Sequence, residues 1–288
     1  MPKTGVEYAT DQITVYRSCP YQCAYCYVWR NPLFTSRVTR GSYDPVREAE
    51  KYKRVRGHRV IMVSFVSDPY PPQEGLLQRT RKVLKVLAET DHTILVLTKN
   101  PKLVLRDIDI MGKGDFWLGT TVSVMWTCSI ESWVPSPRFD ENKVYTCIDL
   151  IARKYEPKAP SPWERLGYIA LIKQKYGIKT FVSLEPIIPL YGIDDEVMNW
   201  LDIALYKVLP HKELGSDGAV DWIVLGSLNY PRIVKELGFS KEKLTRFYKE
   251  VVPKVVELLK ETNTLYFIKK ELHRYVPDVD RGSIPFMR

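Results

Sequence analysis

Residues 60–100 read VIMVSFVSDPYPPQEGLLQRTRKVLKVLAETDHTILVLTKN, and this stretch holds one full unit of the fold. Val60–Val66 and Thr93–Lys99 are short, nearly continuous apolar runs, the pattern of strands covered on both faces in a parallel sheet. Between them, Leu76–Glu89 places apolar residues at 76, 77, 83, 84, 86 and 87, which predicts a helix with one buried stripe. Strand, helix, strand with a parallel return is a βαβ crossover, which is right-handed. Working outward, similar apolar runs recur at Ile13–Ser18, Trp117–Ser123, Lys179–Glu185 and Asp221–Gly226, with a last one at Thr264–Ile268. Helical patterns at Trp163–Tyr176, Asp194–Leu209 and Lys241–Thr262 fill the intervals, and Pro253 is expected to kink or break the last. The rhythm fits an open barrel or a doubly wound sheet of class α/β.

The chain has 288 residues, 45% hydrophobic and 27% charged, which is ordinary globular composition and excludes a disordered or fibrous protein. It contains no repeat or low-complexity tract. No apolar run approaches the ~20 residues of a membrane span. The opening residues carry no apolar leader core, so a soluble, cytoplasmic protein is expected. Two stretches break the rhythm: the basic Val28–Arg59, and residues 127–162 with their prolines and scattered aromatics. Neither resembles a flexible linker, so residues 1–288 are expected to form one domain. Its core spans about 10–230, with an insertion at about 127–162 and a helix–strand extension at 231–288.

Five cysteines is an odd number, and three of them, Cys19, Cys23 and Cys26, fall within SCPYQCAYC directly after the first strand. Clustered thiols without a disulfide pattern point to metal ligation. Three thiolates on one loop can hold three irons of a [4Fe–4S] cube and leave the fourth open to a ligand. A structural zinc site is the alternative; it needs a fourth ligand, for which Cys128 and His58 are candidates. Unliganded, partly buried thiols are the third reading.

The remaining unusual residues sit where strands end: Ser67-Asp68-Pro69-Tyr70, Lys99, Ser123, Glu185 and Ser227 to Asn229. In α/β barrels that end carries the chemistry. Asp68 also fits a turn-starting Asp-Pro, and Lys99 a solvated strand end. Gly226 fits either a plain turn or the close approach of a ligand. The net charge is +9, and Arg37, Arg40, Arg47, Lys51, Lys53, Arg54, Arg56 and Arg59 concentrate in one stretch. That stretch reads as a phosphate-contacting surface or as a solvated helix and loop.

The C-x3-C-x2-C spacing after the first strand, with Tyr25 between the last two cysteines, resembles the radical S-adenosylmethionine superfamily. The resemblance implies an open, partial (β/α)6 barrel of TIM type with parallel strands. It implies a [4Fe–4S] cluster on Cys19, Cys23 and Cys26 that cleaves S-adenosylmethionine to methionine and a 5′-deoxyadenosyl radical. That radical abstracts hydrogen from a substrate. Ser67 to Glu74 with Arg79, Lys99 in LTKN and Ser123 in TTVS resemble the spore photoproduct lyase-like branch. GTTVS, SLEP and WIVLG also resemble phage-encoded radical proteins of unknown function.

By that resemblance Ser67 and Asp68 hold the methionyl amino group and Lys99 pairs with its carboxylate. Ser123 meets carboxylate or ribose, and Glu185 and Asn229 complete the cofactor site. The photoproduct-repairing members carry a cysteine just before Ser-Asp as hydrogen-atom donor; here Val66 stands there, so repair by that route is not expected. Cys128, Cys147 and Tyr70 are the residual catalytic candidates. An electron donor such as ferredoxin or flavodoxin is implied, and a nucleic acid is a candidate substrate. The competing functions are action on a small metabolite or peptide, and a nucleic-acid-binding protein with structural zinc.

Overall fold

The computed structural model describes residues 6–30, 43–123, 153–189, 205, 209 and 218–287. Cys128, Cys147, Arg37, Arg40 and the helix expected at Asp194–Leu209, apart from isolated positions, lie outside them. Among the described residues, seven parallel strands run side by side in chain order. They are β1 (Asp11–Ile13), β2 (Val60–Val63), β3 (Thr93–Leu97), β4 (Asp115–Thr121), β5 (Lys179–Ile187), β6 (Trp222–Ser227) and β7 (Leu265–Ile268). The sheet is open between β1 and β7, a partial TIM-type barrel. Thr264–Ile268, read as part of an extension, supplies the seventh strand beside β6.

Alternation explains the apolar runs. In β2, Met62 faces the barrel interior while Ile61 and Val63 face the helices, and both faces are dry. Leu95, Trp117, Phe181, Trp222 and Phe267 complete the interior layer. At Gly119 an added Cβ would stand 2.4 Å from the Phe181 ring, so only glycine leaves room for that ring. Phe286 enters near the amino ends of the strands, its ring 5.3 Å from those of both Trp117 and Trp222. Glu7 bridges from the β1 edge to the β7 side, accepting from the Lys270 amide (2.8 Å) and the Arg281 guanidinium (2.7 Å).

The outer layer includes α1 (Pro45–Tyr52), α2 (Glu74–Leu77), α3 (Arg79–Leu87), α4 (Pro162–Tyr176), α5 (Pro231–Glu236) and α6 (Lys241–Glu261). Asp44 caps α1 by accepting from the Val46 amide at 2.9 Å. Pro162 opens α4, and Gly177 ends it in the left-handed conformation.

Three local expectations are corrected. The first strand is Asp11–Ile13, not Ile13–Ser18, because Val15 donates to the Ser64 side chain instead of continuing the ladder. The helix expected at Leu76–Glu89 is two helices, since Gln78 is left-handed and buried Glu74 accepts from the Thr80 and Arg81 amides that open α3. Lys241–Glu261 runs through Pro253 as one helix, anchored by Leu244, Phe247, Val251, Val252, Val255 and Val256. No helix among the described residues is long and apolar enough to cross a membrane.

Candidate functional site

A cavity of about 600 Å³ opens at the carboxyl ends of the strands. Every strand end contributes to its wall: the cysteine loop after β1, Ser67 and Asp68 after β2, Lys99 after β3 and Thr121 on β4. Glu185 on β5, Ser227 to Tyr230 at the end of β6, and Lys269 and Glu271 after β7 close the ring. All three cysteines of the loop line it and carry no disulfide. The Cys26 amide donates to the Cys23 carbonyl (3.0 Å), and the Ala24 amide to the Tyr155 carbonyl (2.7 Å).

Burial pushes the Cys19 thiol up to about 11, with the Asp68 charge adding to it, and the Cys23 thiol up to about 12. Both are therefore protonated at neutral pH in the metal-free chain, and ligation of a metal would release their protons. Among the described residues, no three His, Cys, Asp or Glu side chains converge as ligands of one ion.

The Ser67 hydroxyl is buried with no hydrogen-bond partner, the residue being 9% exposed, and so is that of Ser227, 4% exposed. An unsatisfied buried hydroxyl costs about 1–3 kcal/mol, so two on one cavity wall mark places for polar ligand atoms. Asp68 accepts from the Thr98 hydroxyl (2.6 Å), the Lys99 amide (2.7 Å) and the Tyr70 amide (2.8 Å). Burial pushes its carboxyl above the usual carboxylate range against those three bonds. Asp68 thus ties the β2 and β3 ends together and keeps part of its acceptor capacity for a ligand.

Lys99 runs beside the Tyr25 ring, its ammonium 5.6 Å from the centroid and 3.4 Å from a Glu156 oxygen. Glu156 is buried, accepts from the Tyr25 hydroxyl and pairs with fully buried Arg165. Burial raises its carboxyl, but Arg165 and Lys99 outweigh that and hold it below the usual range. Arg165 also donates to the Thr121 carbonyl at 2.6 Å. Residues 155 and 156, within the expected insertion at about 127–162, contact the cysteine loop at Ala24 and Tyr25.

On the opposite wall the β5–β6 ladder slips between Leu184 and Ile187, where Glu185 leaves the sheet. Its side chain crosses β6 at Gly226, where an added Cβ would stand 2.7 Å from Glu185 Cγ. Beyond it, Glu185 pairs with Lys269, which also holds Glu271 at 3.0 Å. Burial disfavours the Lys269 charge, but Glu185, Tyr8 and Glu271 outweigh it and keep the ammonium charged. The close approach expected at Gly226 is therefore that of Glu185.

The barrel, the thiol loop after its first strand and the ring of strand-end polar groups now stand together. The chain has the fold of spore photoproduct lyase. A Tyr-to-Phe variant of that enzyme matches with a TM-score of 0.55 and 14% identity, over 87% of this chain and 73% of the lyase chain. A Cys-to-Ala variant of the lyase with a dinucleoside spore photoproduct matches at 0.55 and 13%, over 93% and 86%. No family model matches the chain, and no curated protein matches it in sequence.

Of the residues singled out in the sequence, Cys19, Cys23, Cys26, Ser67, Asp68, Lys99, Glu185 and Asn229 share the cavity wall. Ser123 is buried below the wall and donates to the Glu185 carbonyl at 2.9 Å. Tyr70 does not line the cavity; its hydroxyl donates to Asp107 at 2.9 Å in a buried network. Glu74 and Arg106 belong to the same network, paired at 2.7 Å. Arg54, Arg56 and Arg59 precede the amino end of β2 and so lie at the far end of the barrel from the cavity. In α1, Lys51 pairs with Glu48, and Lys53 beyond it with Glu50 and Glu89.

Sequence reasoning passed over Lys269, Glu271 and Glu156. Lys269 repeats the signal that marked Lys99, a lysine directly after an apolar strand. Glu156 sits in a proline-rich stretch without local periodicity.

Proposed function

We propose that this chain is a radical S-adenosylmethionine enzyme, with a [4Fe–4S] cluster on Cys19, Cys23 and Cys26 and S-adenosylmethionine in the cavity. The observation that carries the reading is the thiol loop on the rim of a strand-end cavity, in the fold of spore photoproduct lyase, itself such an enzyme. Bound there, the two groups supply reductive cleavage of a sulfonium bond and a radical able to abstract hydrogen.

The chain's own residues bind and orient. The Ser67 hydroxyl, unpartnered, accepts from an ammonium, and Asp68 lends it charge from a position fixed by three donors. Lys99, steered by Tyr25 and Glu156, presents its ammonium to a carboxylate. The group Lys99, Arg165 and Glu156 sums to one positive charge, which suits an anionic ligand group. Ser227 offers a second hydroxyl, and the Glu185–Lys269–Glu271 wall offers alternating acceptors and a donor. Tyr21, Tyr25 and Tyr27 line the same cavity as the three thiols.

The substrate reading that fits the rim is a nucleobase-bearing molecule. Tyr230, exposed, stacks on Tyr27 with centroids 4.9 Å apart and planes 6° from parallel, which gives a planar base a face to stack on. One matching lyase structure holds a dinucleoside. Arg54, Arg56 and Arg59 do not line this mouth.

The test is anaerobic reconstitution followed by metal analysis. The wild-type chain is expected to bind about four irons and show a [4Fe–4S] spectrum, and Cys23→Ala to lose both. A chain that takes up zinc in that loop and no iron overturns the reading in favour of a structural zinc site.

A further inference from the structure

We infer that Glu271, Lys269 and Ser227 form a substrate subsite that reads the hydrogen-bond donor edge of a guanine base. This inference rests on the proposed nucleobase-bearing substrate and names which base the cavity takes. The cavity has two charged walls. Lys99, with Arg165 and Glu156, leaves one positive charge on the first. On the opposite wall Lys269 is shared between Glu185 and Glu271, two carboxylates on one ammonium, so that wall carries one negative charge. Burial raises the Glu271 carboxyl; Lys269 counters the rise and the Glu185 charge adds to it. A ligand that brings N–H donors relieves this excess, and an anionic one does not.

Ser227 is an independent mark of a ligand. It lines the same cavity at the end of β6, between the strand of Glu185 and the strand that leads to Lys269. Its hydroxyl is buried and has no hydrogen-bond partner. Tyr230, three residues further on, lines the cavity as well. Burial raises its phenol, and the charges of Lys269, Glu185 and Glu271 act on it too, so its hydroxyl end stands in their field. A base stacked on the Tyr230 ring brings its edge to this wall.

The hydrogen-bonding pattern selects the base. A carboxylate only accepts, and an ammonium with two of its three donors spent on carboxylates keeps one. Guanine sets two neighbouring N–H groups, at N1 and N2, beside its O6 acceptor. Glu271 accepts from both N–H groups while Lys269 or Ser227 donates to O6. Thymine sets a carbonyl on each side of its one N–H, so a carboxylate facing that edge meets an acceptor. Adenine and cytosine place an amino group beside a bare ring nitrogen, which gives the carboxylate one donor.

The test is equilibrium dialysis of the anaerobically reconstituted protein against guanosine, inosine and thymidine. S-adenosylhomocysteine is present to fill the cofactor's place. Guanosine is expected to bind about tenfold more tightly than thymidine, and than inosine, which lacks the 2-amino group. Glu271→Gln, whose amide turns a donor towards the base, should bring guanosine down to the inosine level and leave thymidine unchanged. Tyr230→Leu should weaken all three alike, because stacking does not depend on the edge. Equal binding of the three nucleosides by the wild-type chain overturns the subsite, whether or not the variants fold. A guanosine preference that survives in Glu271→Gln overturns it as well. Iron content of the same samples separates the two readings. An iron-loaded chain without the preference keeps the radical enzyme and loses the subsite; a chain with the preference and no iron keeps the subsite and loses the cluster.

Discussion

At Gly226 one missing methyl group decides how the cavity wall is built. The Glu185 side chain passes over that Cα to reach Lys269, just past the end of the next strand, and a Cβ there would sit 2.7 Å from Glu185 Cγ. Backbone on both sides belongs to paired strands, so neither partner can step aside freely. Gly226→Ala is therefore expected to cost about 2 kcal/mol by overpacking. Chemical denaturation of the metal-free protein measures it; an unchanged midpoint would mean that the wall rearranges without loss. At this scale the sequence discloses what chemistry forces into short spacing. Cys19, Cys23 and Cys26 share one loop, and Ser67-Asp68 and Lys99 follow strand ends. Glu156 and Lys269 escape because their partners are remote: Tyr25 lies 131 residues from Glu156, and Glu185 lies 84 from Lys269. Gly226 was visible as a glycine at a strand end, but nothing local says what approaches it.

Elements obey the balance between local propensity and packing. Gln78 ends α2 in the left-handed conformation, and Glu74 then supplies acceptors for the amides that open α3, so one apolar stripe became two helices. Hydrophobic periodicity could not show this break, because Leu76 and Leu77 extend the apolar pattern in sequence although both are exposed. Pro253 is the opposite case. Its missing N–H and its ring oppose a helix, yet α6 continues because Val251, Val252, Val255 and Val256 are buried around it. Tertiary burial outweighs the local penalty there. Pro253→Ala should thus raise stability by about 1–3 kcal/mol, read as a higher denaturation midpoint; no gain would show that the helix has already relaxed around the proline. Strand positions were legible to within a few residues because parallel strands buried on both faces read as apolar runs. The first strand slipped because Val15 and Tyr16 are buried without being part of the ladder.

The whole molecule is polarised along the barrel axis. Aromatic side chains fill the interior towards the amino ends, and at the carboxyl ends the packing gives way to a cavity ringed by thiols, hydroxyls and ion pairs. The strand–helix rhythm left an open barrel or a doubly wound sheet, and the resemblance carried by the cysteine loop implied the barrel. The seventh strand, the N-terminal bridge through Glu7 and the plug at Phe286 depend on contacts between the chain's two ends, which no local window contains. Arg54, Arg56 and Arg59 lie at the amino end, away from the cavity mouth. What the polarity does provide is a cavity lined by three thiols together with Lys99, Ser67 and Ser227. The measurement that bears most directly on this account is cleavage of S-adenosylmethionine by the anaerobically reconstituted protein under dithionite. The account predicts 5′-deoxyadenosine and methionine from the wild-type chain and neither from Cys23→Ala. A folded, metal-loaded wild-type protein that leaves S-adenosylmethionine intact, or a Cys23→Ala variant that cleaves it equally well, would contradict it.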